Sequence, residues 1–227
     1  MVSTTFLLSL LAGTAVAFPP RLPKGPKGPH GPGSTASSVP ACGATIESCE
    51  CPSGTFFQES TSYAMIYADT GDLTELISNF TNTAWFGTTP SNVTGTAENP
   101  IRLLVGVVDG TPVPTNEQLI SFTDYSGKSD PTKTLRFEDG FLMKFQLVDT
   151  PYQYTGDNGA GTIAGTWDTM DVRNVGDSQT MWVWSIYACF SSAFSFQDFH
   201  VSAMKNISST LDSQGKLTKA TLGPFSV

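Results

Sequence analysis

The chain has 227 residues, a formal net charge of −8 and 14% charged residues, against about 25% in an average soluble domain. An acidic chain repels the phosphate backbone, so the composition argues against nucleic-acid binding. Aromatic residues make up 11% of the chain, which favours β structure with a large apolar contact surface.

The first 17 residues have the pattern of a secretory signal peptide. Residues 6–11 are apolar apart from Ser9, and Ala15-Val16-Ala17 is a cleavage site of the small-residue kind. The apolar run is too short to span a bilayer, and no later run in the sequence approaches ~20 apolar residues. We therefore expect residues 1–17 to be a signal peptide of a secreted, extracellular protein with no transmembrane segment.

Residues 18–41 are rich in Pro, Gly and Ser. Gly25, Gly28 and Gly31 recur at every third position, each followed by Pro. Three such triplets cannot hold a collagen triple helix. The composition instead predicts a semi-rigid spacer, which leaves residues 42–227 as a single domain.

The chain contains four cysteines, Cys42, Cys49, Cys51 and Cys189. An even number in an exported chain indicates disulfides, and their spacing alone leaves three pairings open. The Cys49-x-Cys51 spacing is shorter than the two to four residues that separate zinc-binding cysteines. We predict disulfides here, with no metal and no cofactor.

The first part of the domain is predicted as a strand followed by a helix. Residues 56–68 alternate loosely as a strand. Asp72 is predicted to cap the helix, with Glu75 completing a capping box. The apolar stripe of this helix consists of Leu73, Leu76, Ile77 and Phe80. A short turn around Trp85-Phe86 and a polar loop extending to Pro100 are expected next.

Strands with hairpin signals dominate the middle of the chain. The predicted strands are 101–108, 117–125, 134–138, 141–148 and 162–175, with a loop at 156–161. Asp109-Gly110 and Asp139-Gly140 are typical of tight hairpin turns. These patterns predict an antiparallel sheet.

The last strand and helix are the most apolar part of the sequence. Residues 180–190 are apolar on both parities, so this strand should be covered at least partly on both faces. The following helix has an apolar stripe made of Phe196, Phe199, His200, Ala203, Ile207 and Leu211. The whole pattern predicts an α+β fold in which an antiparallel sheet of six to seven strands is closed by a long C-terminal helix.

Four short motifs carry a family resemblance. They are Cys51-Pro52-x-Gly54, Trp182-x-Trp184-Ser185, His200-x-x-Ala203-x-x-Asn206-Ile207 and Ser213-Gln214-Gly215-Lys216. With the element order, they resemble the helix-grip fold of the Bet v 1, START and polyketide-cyclase (SRPBCC) superfamily, and more narrowly a group of secreted fungal proteins within it. The resemblance implies a curved sheet around the C-terminal helix, with a hydrophobic cavity between them.

Members of this superfamily bind lipids, sterols or polyketides, and a minority catalyse cyclisation or dehydration. The resemblance therefore implies a secreted binding protein for an apolar small molecule. The alternatives are a cyclase or dehydratase using the same cavity, or an extracellular cell-surface interaction protein without a ligand. The residues expected to bind the ligand are Trp85, Trp167, Trp184, Phe196, Phe199, His200 and Ala203. No catalytic residue is assigned, and the oligomeric state stays open.

The resemblance also implies a disulfide pattern. In the helix-grip sheet the first and last strands are antiparallel neighbours, which places the start of one beside the end of the other. We therefore expect Cys51 to pair with Cys189 and Cys42 to pair with Cys49. Pairing of Cys49 with Cys189, which leaves Cys42 with Cys51, is the alternative.

Two further sets of polar residues are singled out. Sequons begin at Asn79, Asn92 and Asn206, and Asn206 is the least suited to a glycan because it lies at the edge of the apolar stripe. Asp168 and Asp171 are three residues apart on a predicted strand. Their side chains therefore point to opposite faces and cannot form a facing pair of carboxylates.

Overall fold

A nine-stranded antiparallel sheet and two α-helices make up the fold in the computed structural model, which describes residues 49–126 and 139–227. These residues belong to one unit that extends from Ser38 to Val227. The predicted signal peptide (1–17), the whole predicted spacer (18–41), Cys42 and the predicted strand 134–138 lie outside the described residues, so these remain predictions.

The strands are β1 Phe56–Ile66, β2 Asn92–Gly95, β3 Pro100–Val108, β4 Thr111–Asp124, β5 Gly140–Val148, β6 Tyr152–Gly156, β7 Gly159–Gly176, β8 Gln179–Phe190 and β9 Leu222–Ser226. The helices are α1 Thr70–Ile77 and α2 Phe196–Ser213, and a 3-10 turn spans Ala84–Phe86. The sheet order is β2-β3-β4-β5-β7-β8-β1-β9, with β6 paired to β7. The predicted fold class is confirmed, but the predicted count of six to seven strands is too low for the described residues.

The sequence analysis missed three strands, β2, β6 and β9, which are short or have little apolar alternation. All four residues of β2 are exposed, so no apolar alternation marks them. Strand β9 contains Gly223 and Pro224, which are both rare inside strands. The predicted loop at 156–161 is shorter in the structure, because Gly156 ends β6 and Gly159 begins β7. In the two-residue turn between them, the backbone amide of Asn158 donates to Asp109 Oδ2 at 2.8 Å.

Strand β8 lies between β7 and β1. It pairs with β1 over the full length of the latter, from Phe56 opposite Phe190 to Ile66 opposite Thr180. The start of β1 therefore adjoins the end of β8. The predicted disulfide between Cys51 and Cys189 is confirmed, with 5.6 Å between the two Cα atoms. Cys49 is also disulfide-bonded, and its predicted partner Cys42 lies outside the described residues.

Helix α1 begins earlier than its capping box predicts. The cap is Asp69 rather than Asp72, and the first helical residue is Thr70. Thr70 is buried and its hydroxyl lies 2.8 Å from the hydroxyl of Thr180 in β8. This tertiary hydrogen bond fixes the first turn. Asp72 instead forms an ion pair with Lys216 at 2.9 Å.

Both helices cover the same face of the sheet, here called the inner face. Its apolar residues form two clusters. The larger cluster joins the helices to the sheet and includes Leu73, Ile77, Phe80, Trp85, Phe145, Met170, Trp182, Trp184, Met204, Ile207 and Leu211. The smaller cluster includes Val108, Val113, Leu147, Tyr154, Ile163, Ile186, Ala188, Phe190 and Phe196.

A polar layer separates the two clusters. On β7 the buried Asp168 lies between Met170 of the larger cluster and Ile163 of the smaller one. On α2 the buried His200 likewise lies between Ala203 and Phe196. Arg102 of β3 and Glu117 of β4 are paired across the strands. We call Arg102, Glu117, Asp168 and His200 the polar layer.

Candidate functional site

Six aromatic rings meet where α2 and the 3-10 turn pack on β8. The aromatic cluster consists of Trp85, Phe86, Trp182, Trp184, Phe199 and His200. The imidazole of His200 stacks on the indole of Trp184, with 4.1 Å between centroids and 17° between planes. Trp85 lies 5.6 Å from Trp182 and 5.5 Å from Trp184. Such tilted and offset contacts stabilise aromatic groups beyond simple burial.

Local structure explains this convergence. Trp182 and Trp184 are two residues apart on β8, so both point to the inner face. The 3-10 turn that carries Trp85 ends at Gly87, which has a φ of 87°, a conformation that glycine adopts without a steric penalty. The side-chain amide of Asn206 in α2 donates to the carbonyl oxygen of Trp85 at 2.5 Å. Helix α2 therefore holds the turn against the sheet.

Several nitrogens of this cluster have no hydrogen-bond partner. Within residues 49–126 and 139–227, Nε1 of Trp85, Nε1 of Trp182 and both ring nitrogens of His200 are buried and unpaired. A buried polar atom without a partner costs about 1–3 kcal/mol, and such atoms are uncommon in native proteins. Burial also lowers the pKa of His200 to about 3. The imidazole is therefore neutral at ordinary pH and offers one donor and one acceptor.

Asp168 adjoins the aromatic cluster through Trp184. The indole Nε1 of Trp184 donates to Asp168 Oδ1 at 3.0 Å. Burial raises the pKa of Asp168 well above its usual value, and the negative charge of Glu117 raises it further. The hydrogen bond from Trp184 and the positive charge of Arg102 oppose this shift without cancelling it. The neutral, proton-carrying form of the Asp168 carboxyl is therefore favoured.

Arg102 has a structural role in the polar layer. Its Nε donates to Glu117 Oε2 at 2.8 Å, and its Nη1 donates to the carbonyl oxygen of Phe80 at 2.5 Å. Its guanidinium group also lies 4.1 Å from the centroid of the Phe80 ring. These contacts satisfy the guanidinium group of Arg102 and attach the segment after α1 to the sheet.

The structure brings together only part of the predicted ligand-binding set. Trp85, Trp184, Phe199 and His200 all belong to the aromatic cluster. Ala203 lies one turn after Phe199 on α2 and is buried in the larger cluster.

The other two predicted residues lie elsewhere. Phe196 belongs to the smaller cluster, where its ring is 5.4 Å from that of Phe190. Trp167 is half-buried and adjoins the inward-pointing Asp168 on β7. Because neighbouring strand residues point to opposite faces, Trp167 lies on the outer face, where it is paired with Tyr187 of β8.

Three residues of the site escaped the sequence analysis. Trp182 was named in a family motif and Phe86 in a turn, but neither was included among the residues expected to bind the ligand, although Trp182 shares the parity of Trp184. Asp168 was considered only as half of a carboxylate pair with Asp171. Strand parity could have identified Asp168. It shares one face of the predicted strand with the apolar Met170 and Val172, which places its carboxyl group towards the interior.

The described residues contain no cluster of metal-binding side chains and no helix suited to a membrane. In that part of the chain, no group of three or more His, Cys, Asp or Glu side chains is arranged to hold a metal ion. Neither α1 nor α2, the helices of the same region, is long and apolar enough to cross a membrane.

Comparisons with known proteins return only distant structural likenesses. No protein-family model and no curated protein matches the chain. A conserved protein from Geobacillus kaustophilus has a TM-score of 0.43 at 8% identity, over 69% of this chain and 97% of that one. Norcoclaurine synthase from Thalictrum flavum, in complex with dopamine and hydroxybenzaldehyde, has a TM-score of 0.41 at 14% identity, over 72% and 90%. Ara h 8.0201 has a TM-score of 0.39 at 9% identity, over 70% and 99%. None of these scores supports an argument about activity.

Proposed function

We propose that this protein is a secreted binding protein for a small, largely apolar molecule, such as a lipid, sterol or polyketide-like compound, held by the aromatic cluster. The observation that carries the proposal is the set of unpaired nitrogens on Trp85, Trp182 and His200. They are surrounded by apolar rings, so a suitable ligand is mainly apolar and has a hydroxyl or carbonyl group. Its oxygen would accept hydrogen bonds that the free protein lacks.

The route to this site lies between α2 and the 3-10 turn. The ring of Phe199 is 40% exposed, and it contacts both Trp184 and the half-buried Phe86. The aromatic cluster thus extends from solvent to the fully buried Trp182. A ligand that separates Phe86 from Phe199 would reach the unpaired nitrogens without disturbing the sheet.

Export and superfamily membership belong to the same proposal. The signal-peptide pattern of residues 1–17 and the Cys51–Cys189 disulfide suit an oxidising, extracellular environment. The observed element order, with β1 beside β8 and a long α2 after it, supports a place in the helix-grip superfamily. The narrower likeness to secreted fungal proteins rests on the sequence motifs.

A binding experiment tests the role of the unpaired nitrogens. The secreted protein is examined by native mass spectrometry for a bound molecule, and then titrated with a fluorescent fatty acid and a fluorescent sterol. Trp182→Phe keeps an aromatic ring but removes Nε1, and we expect it to weaken binding about 3- to 10-fold, the value of one hydrogen bond. The matched control is Trp167→Phe on the outer face, which should leave binding unchanged.

Two results would contradict the proposal. If Trp182→Phe and Trp167→Phe behave alike, the aromatic cluster is not the binding site. If the secreted protein carries no molecule and binds neither probe, the cluster is a filled core, and the third function considered, an extracellular interaction protein without a ligand, is favoured.

An acid–base enzyme of the cyclase or dehydratase type is the second candidate, because Trp184 contacts two complementary groups. Its indole donates to Asp168, whose raised pKa favours the proton-carrying form, and its ring stacks on His200, whose lowered pKa favours the neutral base. The carboxyl can give a proton, and the neutral imidazole has a lone pair to accept one, but a pKa of about 3 makes His200 a weak base.

Substitution of Asp168 separates the enzyme from the carrier. Asp168→Asn preserves the acceptor for Trp184 but has no proton to give. For the co-purified molecule, an enzyme should lose conversion to product at least about 100-fold while binding is kept. Asp171→Asn on the outer face is the matched control. Unchanged conversion in Asp168→Asn, or no conversion by the parent protein, would leave the carrier as the function.

A further inference from the structure

A recess opens on the inner face beside the C-terminal end of α1. This α1 groove has a volume of about 860 Å³ and its apolar lining includes Phe80, Val93, Leu119 and Phe122. Phe80 and Leu119 are buried, but Val93 is 48% exposed and Phe122 is 43% exposed. The residues of the aromatic cluster do not line it. Val93 and Phe122 therefore present exposed apolar side chains in a recess that an adjacent group can cover.

The sequon at Asn79 lies in this groove. Asn79 and Thr81 both line it. Asn79 Oδ1 accepts hydrogen bonds from the backbone amide of Thr81 at 3.0 Å and from its hydroxyl at 2.9 Å. In the described part of the chain, no hydrogen bond involves Asn79 Nδ2, the atom to which an N-linked sugar is attached. The acceptor amide is therefore exposed and available at the groove.

The other two sequons are placed differently. Val93 is opposite Arg102 in the β2–β3 register, and the side chain of Arg102 is buried on the inner face. The adjacent Asn92 therefore points to the outer face, away from the groove. Asn206 Nδ2 is already used, since it donates to the carbonyl oxygen of Trp85. Only the sequon at Asn79 combines an exposed amide with the apolar recess.

We propose that Asn79 carries an N-linked glycan whose first sugars lie in the α1 groove and cover Val93 and Phe122. The inference rests on the proposed export but not on the proposed ligand. The C–H faces of a sugar ring pack on apolar and aromatic side chains, while its hydroxyls can bond to Thr96 on the groove wall. The volume is on the scale of sites that hold drug-sized molecules, ~300–1000 Å³, which is enough for the inner sugars.

The modification is an ordinary group transfer. Asn79 Nδ2 attacks the anomeric carbon of an oligosaccharide that is linked to a lipid diphosphate. The new N–C bond replaces the C–O bond to the diphosphate, Nδ2 loses one proton, and the lipid diphosphate leaves. No oxidant or metal redox step is involved.

The test uses the full chain with its own leader, secreted from a eukaryotic host. Glycopeptide mapping should find a glycan on Asn79. Removal of that glycan by Asn79→Gln or by Thr81→Ala should raise the fluorescence of bound anilinonaphthalene sulfonate about twofold or more, since an apolar patch is uncovered. Asn92→Gln is the matched control and should leave dye binding unchanged. Adding Phe122→Ser to Asn79→Gln should return dye binding to the parent level.

Each contrary result overturns the inference. If mapping finds no glycan on Asn79, the groove has no such occupant. If loss of the glycan leaves dye binding unchanged, the sugars lie in solvent and not in the groove. The same conclusion follows if the gain in dye fluorescence of Asn79→Gln persists when Phe122→Ser is added. The fluorescent sterol and fatty acid are titrated into the same variants, so failure of ligand binding at the aromatic cluster is recorded separately from failure of the glycan inference.

Discussion

The two apolar clusters of the inner face are closed in different ways. Next to the smaller cluster, the disulfide at Cys189 joins the end of β8 to Cys51, and the hydroxyl of Tyr154 lies 2.8 Å from that of Ser192. The larger cluster is closed by the packing of α1 and α2, and it retains the unpaired nitrogens of the aromatic cluster.

This difference predicts which of the two clusters can open to admit a ligand. A covalently tied cluster with satisfied polar groups resists opening, whereas a non-covalent one with unpaired nitrogens can open and gain hydrogen bonds from a ligand. We therefore expect ligands to act on the larger cluster and the disulfide to control the smaller one.

The largest effect is expected from Trp184→Ala in the larger cluster. The side chain is 2% exposed and donates a hydrogen bond to Asp168, so its removal leaves a cavity and takes one hydrogen bond from a buried carboxyl group. Destabilisation of about 3–5 kcal/mol should appear in denaturant unfolding. Trp167→Ala on the outer face should cost clearly less. A Trp184→Ala variant as stable as the parent would show that Trp184 does not face the interior.

Removal of the disulfide tests the other side of the comparison. The double change Cys51→Ala and Cys189→Ala frees a chain segment of 138 residues, and loss of a native disulfide of this kind costs about 2–5 kcal/mol. Hydrogen exchange should increase most in the paired ends of β1 and β8, and least in the middle of α2. A uniform increase across the domain would contradict the separate control of the two clusters.

The pH dependence of stability should reveal the buried, neutral His200 of the polar layer. Its pKa is about 3 in the folded state and 6.5 as its ordinary value. The unfolded chain therefore binds more protons between these values, and stability is lost as the pH falls below 6.5. His200→Phe removes this term, so its stability relative to the parent should rise by about 2 kcal/mol between pH 7 and pH 5. If the free energies of unfolding of the parent and of His200→Phe change with pH in the same way, His200 is not buried as a neutral base.

The smallest expected effect concerns Tyr154. Tyr154→Phe removes the hydroxyl that meets Ser192 beside the smaller cluster. Stability should fall by about 1 kcal/mol, and binding of the fluorescent probes should be unchanged. A large loss of probe binding in this variant would mean that the ligand reaches both clusters.

The sequence predicted the parts of the fold with strong periodicity. The apolar parities of β8 and the stripe of α2 gave the antiparallel sheet with its closing helix, and the resemblance gave the Cys51–Cys189 pair. Strands β2, β6 and β9 were missed because they are only four or five residues long and their pairing comes from neighbouring strands.

The site was predicted less completely because its polar members are defined by tertiary contacts. The buried state of Asp168 depends on Trp184, Glu117 and Arg102, which come from three other strands. Trp167 was assigned to the site on residue type alone, although it adjoins Asp168 and therefore faces the other way. Whether a ring nitrogen finds a hydrogen-bond partner depends on the position of the ring in the packed interior, which sequence spacing does not specify.

The position of the disulfide has a mechanical consequence. A pulling force applied through Cys51 and the C-terminal end passes across the bond to Cys189, so the chain between these two cysteines carries no load along its backbone. Only β9, α2 and the end of β8 lie in the loaded path. Stretching in an optical trap should therefore detach β9 from β1 and then unwind α2. The extra chain length between Cys51 and Cys189 should appear only after the disulfide is reduced.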